Sequence, residues 1–500
     1  MTFSVVIAAV LGIISGWSVF VLHRGGKWLR CLSKVILSLH VMAAVFPMVL
    51  HAAAWESTAG KFGWAIMTQT GTRTIAGAPY ASFGGLLASG WIHGLIGTSI
   101  VCLATFLGTN RIPQVITDDG SLRMSPLARW WKLRFPLAAP WWMTALVATA
   151  MLAATEMTVA DLYGFRTLAD EFYLLYAAEP TLTSVIQTCV LPLILFGVGS
   201  VWLSIAWKRL IPLQSIRLNH NEQSGEPFSS RIQILATIVS LSTAAMVTAI
   251  PGSSMVVKLG QVIELQQGSV STTWKLNTLL HRLLEAPTLF ADEYYWTIVI
   301  AVVTATASIV IAWPLAAWGR MHPKIGKTID FLTLAIAIIP GPVVAIWVVY
   351  FFQLQIPGFA DLYERSVLPT VLALQARSLP IVYWVLRSGY SSMQKELLES
   401  AALEIPWTRR LFRIDRILLR RNLRIAWLVS AVVASGDIAA TLPVIPPGMT
   451  TVGTRLFGLL HSGARYQEAA LAFWYIIAII SAFLFVLLSE KHRPSNTRVV

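Results

Sequence analysis

Three ionisable residues, Glu156, Arg377 and Asp437, lie inside long apolar stretches of this 500-residue chain. A charged side chain at the centre of a bilayer costs about 2.5–3.5 kcal/mol even on the lenient insertion scale, so each needs a cavity or a partner. Two roles are open for the acids. They could line a path that attracts a cationic solute or bonds to a substrate, or they could tie helices together, with Arg377 as a partner. Prolines accompany them: Pro340 and Pro342 flank Gly341 in one apolar run, and Pro47 breaks another. Helix breaks at membrane depth persist where protein or a cavity resatisfies the freed carbonyls, so these prolines mark gate elements or ordinary kinks. Motifs for other chemistry are missing. The sequence has no Gly-x-x-x-x-Gly-Lys-Ser/Thr phosphate loop, no His-Glu-x-x-His, no Gly-x-Ser-x-Gly and no Cys/His cluster, so no catalytic residue, bound metal or cofactor is expected and ATP would have to be handled by a partner. The histidines, among them His40, His51, His93 and His461, are dispersed and read as core residues.

The elements that must position these groups follow from composition. Hydrophobic residues make up 56% of the chain and charged ones 12%, with a mean hydropathy of +0.67; soluble domains carry about 25% charged residues. The expectation is an all-α, polytopic membrane protein embedded in a lipid bilayer. The net charge of +14 is spread in short runs between apolar segments, the pattern of cytosolic loops and not of a nucleic-acid surface. Cys31, Cys102 and Cys189 are not placed for a disulfide or a metal cluster.

Apolar runs near 4–22, 32–53, 85–108, 138–157, 183–206, 231–251, 294–319, 330–353, 366–388, 425–446 and 468–489 predict about eleven membrane-spanning helices. Placing 109–137, 207–230 and 389–424 on one side gathers most of the Lys and Arg, including Arg409, Arg410, Arg413, Arg416, Arg420, Arg421 and Arg424. By the positive-inside rule that side is the cytosol, which puts the N-terminus outside and the C-terminal tail inside.

The chain also matches itself weakly. The stretch from Arg129 to Leu175 aligns with that from Leu411 to Leu460, setting Trp130 against Phe412 and Glu156 against Asp437, while the Pro47 region matches that of Pro340 and Pro342. Such matches indicate a parallel repeat. The expected organisation is a first half over 1–206, a cytosolic linker over 207–230, a second half over 231–490 that begins with one extra span, and a tail over 491–500.

Between the halves' spans lie two polar loops, 109–137 and 389–424. In the second, an amphipathic stripe over 395–404, carrying Leu397, Leu398, Ala401 and Ala402, predicts a short helix. Pro406 stops it and favours a new helix from Trp407 onward. This loop resembles the EAA loop of the permease subunits of binding-protein-dependent ABC importers. Glu399, Ser400 and Ala401 take the Glu-Ala-Ala positions, Ile405 the glycine and Phe412 the usual aromatic. The sequence departs from the pattern where Ile405-Pro406 replaces glycine and where Asp415-Arg416-Ile417-Leu418 closes the loop without proline. In the first half Asp118, Asp119, Arg123 and Trp130 mark a degenerate copy that keeps Phe135-Pro136. The following segment, GDIAATLPVIPPGMTTVGTRLFGLLHSG, is similar to fused two-half permeases of the ferric-iron and thiamine type.

The resemblance implies the type I importer fold in the cell inner membrane, a cytosolic ATPase dimer gripping both loops, and an extracytoplasmic solute-binding protein that delivers ferric iron or thiamine. It implies no enzyme activity in this chain. The arginines alone would equally serve as a positive belt against anionic headgroups. An ion-coupled secondary transporter using the intramembrane carboxylates is the alternative reading of the same residues, and an intramembrane enzyme a third.

Overall fold

A computed structural model describes residues 1–59, 83–112, 124–163, 228–266, 269–354 and 356–491, with isolated positions between 167 and 198. The described residues are helical almost throughout, and their two strands pair only with each other. Packing divides the chain into two units. Met1–Val45, Ala54–Glu171 and Gly197–Val257 form the first; Phe46–Ala53, Phe172–Phe196 and Lys258–Val500 form the second.

In the first unit α1 (Thr2–His23) is followed by α2 (Lys27–Val45), which stops before Pro47; α3 (Met48–Ala59) restarts the helix beyond it, its residues through Ala53 counted in the second unit and those from Ala54 in the first. Long α4 (Phe83–Asn110) packs along α1. Small residues permit this approach: a Cβ on Gly12 would stand 2.6 Å from that of Val101, and one on Gly16 2.7 Å from that of Thr105. A short series comes next, α5 (Pro126–Arg129), the π turn π1 (Trp130–Arg134) and α6 (Phe135–Leu137), leading into α7 (Ala139–Thr155) and the single turn α8 (Thr158–Leu162). The unit ends along α9 (Ser230–Ala244), which continues through π2 (Ala245–Ala249) into α10 (Ile250–Gly260), whose residues from Lys258 onward belong to the second unit.

The 231–251 run, placed by sequence at the start of the second half, therefore packs on α1. Its contact face is small and polar. Buried Ser15 of α1 bonds to His40 Nε2 at 3.2 Å and to Thr243 Oγ1 of α9 at 3.0 Å, and His40 Nδ1 reaches Ser99 Oγ at 3.0 Å. Thr243 spends its own proton on the Val239 carbonyl, so it accepts from Ser15, Ser15 accepts from His40 Nε2–H, and Ser99 donates to Nδ1. Hydrogen bonds that close on one another in this way hold a helix by specific partners where lipid supplies no hydrophobic drive.

The second unit opens with an antiparallel hairpin of β1 (Gln261–Gln266) and β2 (Ser269–Trp274), paired from Gln261↔Trp274 to Gln266↔Ser269, and α11 (Leu276–Leu289). This stretch falls between the apolar runs 231–251 and 294–319 of the sequence. Then come α12 (Ala291–Met321), α13 (Pro323–Ile338), α14 (Gly341–Phe352), α15 (Phe359–Arg365) and α16 (Leu368–Ser391). A second short series follows, α17 (Lys395–Glu404), α18 (Trp407–Arg410), π3 (Leu411–Asp415) and α19 (Arg416–Leu418), then α20 (Arg420–Gly436), α21 (Val452–Ser462) and α22 (Arg465–Lys491).

This is an all-α membrane protein. Among the described residues six helices are long and apolar enough to cross a bilayer, or up to eight if each of two bent pairs counts once. One pair, α5 to α7, bends by 63°; the other, α13 with α14, bends by 98° at Pro340. The expectation of about eleven spans differs for three reasons. The run 183–206 lies outside the described residues as a span. Gln375, Arg377 and Arg387 make α16 more polar than a simple span, and the 425–446 run stops being helical at Gly436.

Candidate functional site: helix ends and the docking segment

Each unit contains one series of elements in the same order and of the same lengths. In the first, a four-residue helix, a five-residue π turn and a three-residue helix precede a 17-residue helix. The second repeats those four lengths from α18 to α20. The starts differ chemically. Ser125 caps α5, its side chain accepting from the Ala128 N–H at 3.3 Å, with Pro126 beside it; Pro406 begins α18 with no side-chain cap.

Burial corrects the sequence register here. Trp130 opens the first π turn and is fully buried; the residue that opens the second is Leu411, also buried. Exposed Phe412 corresponds instead to exposed Trp131, one position away from the Trp130–Phe412 pairing. Glu156 and Asp437 do occupy the same place, each ending its 17-residue helix as the C-cap. They sit at helix ends and not in the middle of continuous spans.

The predicted docking helix has the structure its sequence suggested at both ends. α17 covers Lys395–Glu404, Ile405 is extended and Pro406 starts the next helix. Its apolar stripe is narrower than expected. Leu398 and Ala401 are buried, but Leu397 faces outward, and Leu403 is 91% exposed. Glu399 and Ser400 lie on the exposed face, with Ser400 Oγ bonded to the Leu397 carbonyl at 3.1 Å. Arg320 holds the base of the segment through the Met393 carbonyl at 3.1 Å. Trp407 lies against Trp318 and Phe412 against Trp313, with ring centroids 6.2 Å and 5.5 Å apart.

Not all the arginines form a surface belt. Arg410 is buried and pairs at 3.6 Å with buried Asp415. Tyr390 of α16 donates to Asp415 at 2.8 Å and receives the Trp313 indole N–H of α12 at 3.1 Å. Burial pushes the Asp415 carboxyl above the ordinary carboxylate range, while Tyr390 and Arg410 pull it back. In the first unit the comparable fastening is Arg134, buried, donating to the Thr109 carbonyl at 3.0 Å and lying over the Phe20 ring at 5.2 Å. Sequence reasoning missed both fastenings because basic residues next to a span read as headgroup contacts.

The intramembrane charges separate into two sites. In the first unit both Glu156 oxygens accept backbone N–H groups, from Thr158 at 2.6 Å and Val159 at 2.9 Å, so the acid caps α8. Its side-chain partner is His93 of α4, with Nε2 at 3.4 Å. His93 Nδ1 stands 2.7 Å from the Ser89 carbonyl. A carbonyl only accepts, so Nδ1 carries a proton, and Nε2 faces a carboxylate already surrounded by donors.

In the second unit Asp437 Oδ2 pairs with Arg377 Nε at 3.3 Å, and Oδ1 accepts from the Ala440 N–H at 2.9 Å. Arg377 Nη1 also donates to the Ala337 carbonyl at 3.4 Å. That carbonyl belongs to the last turn of α13, where the break at Pro340 leaves acceptors without helical donors. Gly341 lets the restarted helix approach the chain just past Asp437, since a Cβ there would lie 2.9 Å from the Ala440 nitrogen and 3.0 Å from Ala439. Pro47, in the segment Phe46–Ala53, packs on Gly436 closely enough to exclude any side chain at that position.

Arg377, Asp437, Pro47, Pro340 and Pro342 are thus brought together in the second unit, and Glu156 belongs to the first. Asp118, Asp119 and Arg123 lie outside the described residues. No three His, Cys, Asp or Glu residues among those described converge as metal ligands. No protein-family model matches the chain, and no curated protein matches it significantly.

Proposed function

We propose that this chain is the membrane subunit of an ABC importer, with both permease halves in one polypeptide and no ATP site of its own. The observation that carries the reading is the equal-length series of short helix, π turn, short helix and 17-residue helix in both units. In the second it is preceded by the outward-facing helix Lys395–Glu404. In this reading a cytosolic ATPase dimer grips Glu399, Ser400 and Ala401 and the bend at Ile405-Pro406, and its closure on ATP moves the helices fastened to that segment. The chain then resides in the cell inner membrane with its N-terminus outside and its C-terminus in the cytosol. An external binding protein supplies the solute, with ferric iron or thiamine favoured by the resemblance. The Arg377–Asp437 pair and the breaks at Pro47 and Pro340 belong to the solute's path or to its gate.

Uptake and ATPase activity measured together test this. Glu399→Lys, or deletion of 399–406, is expected to leave membrane insertion intact and abolish transport-coupled ATP hydrolysis. Normal uptake in either variant overturns the proposal, as does labelling of a Ser400→Cys thiol from outside intact cells.

The buried His93–Glu156 pair favours a second reading, an ion-coupled secondary transporter. Uptake that survives loss of every ATPase partner but stops when the proton gradient is collapsed selects it.

A further inference from the structure

α11 (Leu276–Leu289) presents three distinct faces. One is packed: Leu279 and Ala286 are buried, and Arg282 donates to the Leu259 and Gln261 carbonyls at 2.8 and 2.9 Å while lying 4.1 Å over the Tyr466 ring. The second is polar and exposed, with His281 and Glu285 paired at 3.5 Å and Asn277 one turn earlier. The third is a stripe of leucines four residues apart, Leu276, Leu280 and Leu284, which are 56%, 49% and 76% exposed. Four-residue spacing keeps them on one side of the helix, between the packed and polar faces.

The level of this helix can be read from α22, which both neighbours touch. Tyr294, in the first turn of α12, donates to the Leu471 carbonyl at 3.0 Å. Trp474, one turn further along α22, donates to the Leu283 carbonyl at 2.8 Å. Three residues of helix rise about 4.5 Å, so the middle of α11 lies close to the depth at which α12 begins. The start of α12 carries Tyr294, Tyr295 and Trp296, the residue types that mark the boundary between headgroups and acyl chains. Beyond it α12 exposes Ile298, Val302 and Val310, a lipid-facing surface in a helix long and apolar enough to span.

We propose that α11 is an interfacial helix, its Leu276–Leu280–Leu284 stripe embedded at the headgroup and upper acyl level of the bilayer and its His281–Glu285 face in water. The occupant of the stripe is a lipid surface. An amphipathic helix with one apolar and one charged face lies in this plane because each face then meets its own solvent. The hairpin Gln261–Trp274 and α22 hold it there, through Arg282 and Trp474. The inference is independent of how the protein transports its solute.

Spin labels at single cysteines in the full chain, with Cys31, Cys102 and Cys189 replaced by alanine, test it in vesicles of phosphatidylcholine and phosphatidylglycerol. Labels at Leu276→Cys, Leu280→Cys and Leu284→Cys are expected to collide with oxygen several-fold more, relative to a water-soluble nickel chelate, than labels at Asn277→Cys, His281→Cys and Glu285→Cys. Ile298→Cys on α12 reports correct insertion and is expected to be oxygen-dominated. Chelate-dominated collisions at the stripe beside an oxygen-dominated Ile298→Cys label overturn the proposal by placing the leucines in water. Stripe labels shielded from both reagents overturn it equally, because a protein surface then covers them.

Discussion

The two acids that end the 17-residue helices are held by different cations. Glu156 faces His93, and both are nearly fully buried; Asp437 faces Arg377, and that pair keeps about 15% of its side-chain surface exposed. A guanidinium stays charged at any accessible pH, while an imidazole can release its proton. The pairs also brace different things. Glu156 caps the turn that follows it, whereas Arg377 reaches past Asp437 to the broken end of α13. Equal backbone architecture need not carry equal electrostatics: the first acid sits against an imidazole and a helix start, the second against a guanidinium.

The sharpest way to break that comparison is to remove each acid. Asp437→Ala strands Arg377 in a mostly buried place with no means of neutralising itself, and breaking such a pair from one side costs about 3–5 kcal/mol. Thermal unfolding in detergent is expected to show the loss, and an Arg377→Met/Asp437→Leu double variant should recover much of it. Recovery failing altogether would mean that the helix break, and not the charge, needs these residues. Trp130→Ala removes a buried indole stacked with Phe135, for a cost of about 3–5 kcal/mol. Phe412→Ala, at the exposed position, is expected to change stability by less than about 0.5 kcal/mol. Equal effects would restore the Trp130–Phe412 register.

Glu156→Ala is expected to cost less than Asp437→Ala, about 2 kcal/mol, because the main loss is the cap on Thr158 and Val159. A loss as large as that of Asp437→Ala would show that the contact with His93 matters as much as the pair with Arg377. Ser125→Ala, which removes the side-chain cap that the matching start at Pro406 lacks, is expected to cost about 1 kcal/mol. Thermal melting of that variant beside a Pro406→Ala variant would show how much each start signal contributes.

The legible parts of the fold were the local ones. The bounds of α17 and the restart at Trp407 followed from a helical stripe and a proline, both contained within a dozen residues. The matching of Glu156 with Asp437 survived because it rests on element lengths. What failed depended on distant partners or on geometry that hydropathy does not register. His93 is far from Glu156 along the chain and looked like an ordinary core residue. An apolar run continuing past Gly436 gave no sign that Asp437 ends the helix. Aligning Trp130 with Phe412 matched aromatic to aromatic, but the π turns match inward-facing to inward-facing residues. The hairpin Gln261–Trp274 lacked a run long enough to attract notice, and its short alternating strands close on each other.

The carboxylate of Asp415 gathers Arg410, Tyr390 and, through Tyr390, Trp313. Any swing of the helices after Leu411 relative to α16 would strand that group in a dry setting. The joint at Ile405, where the backbone is extended between two helices, carries no such penalty. A force applied to Lys395–Glu404 reaches those helices both through this joint and through Leu398, buried in one apolar cluster with Tyr390, Leu411 and Leu419.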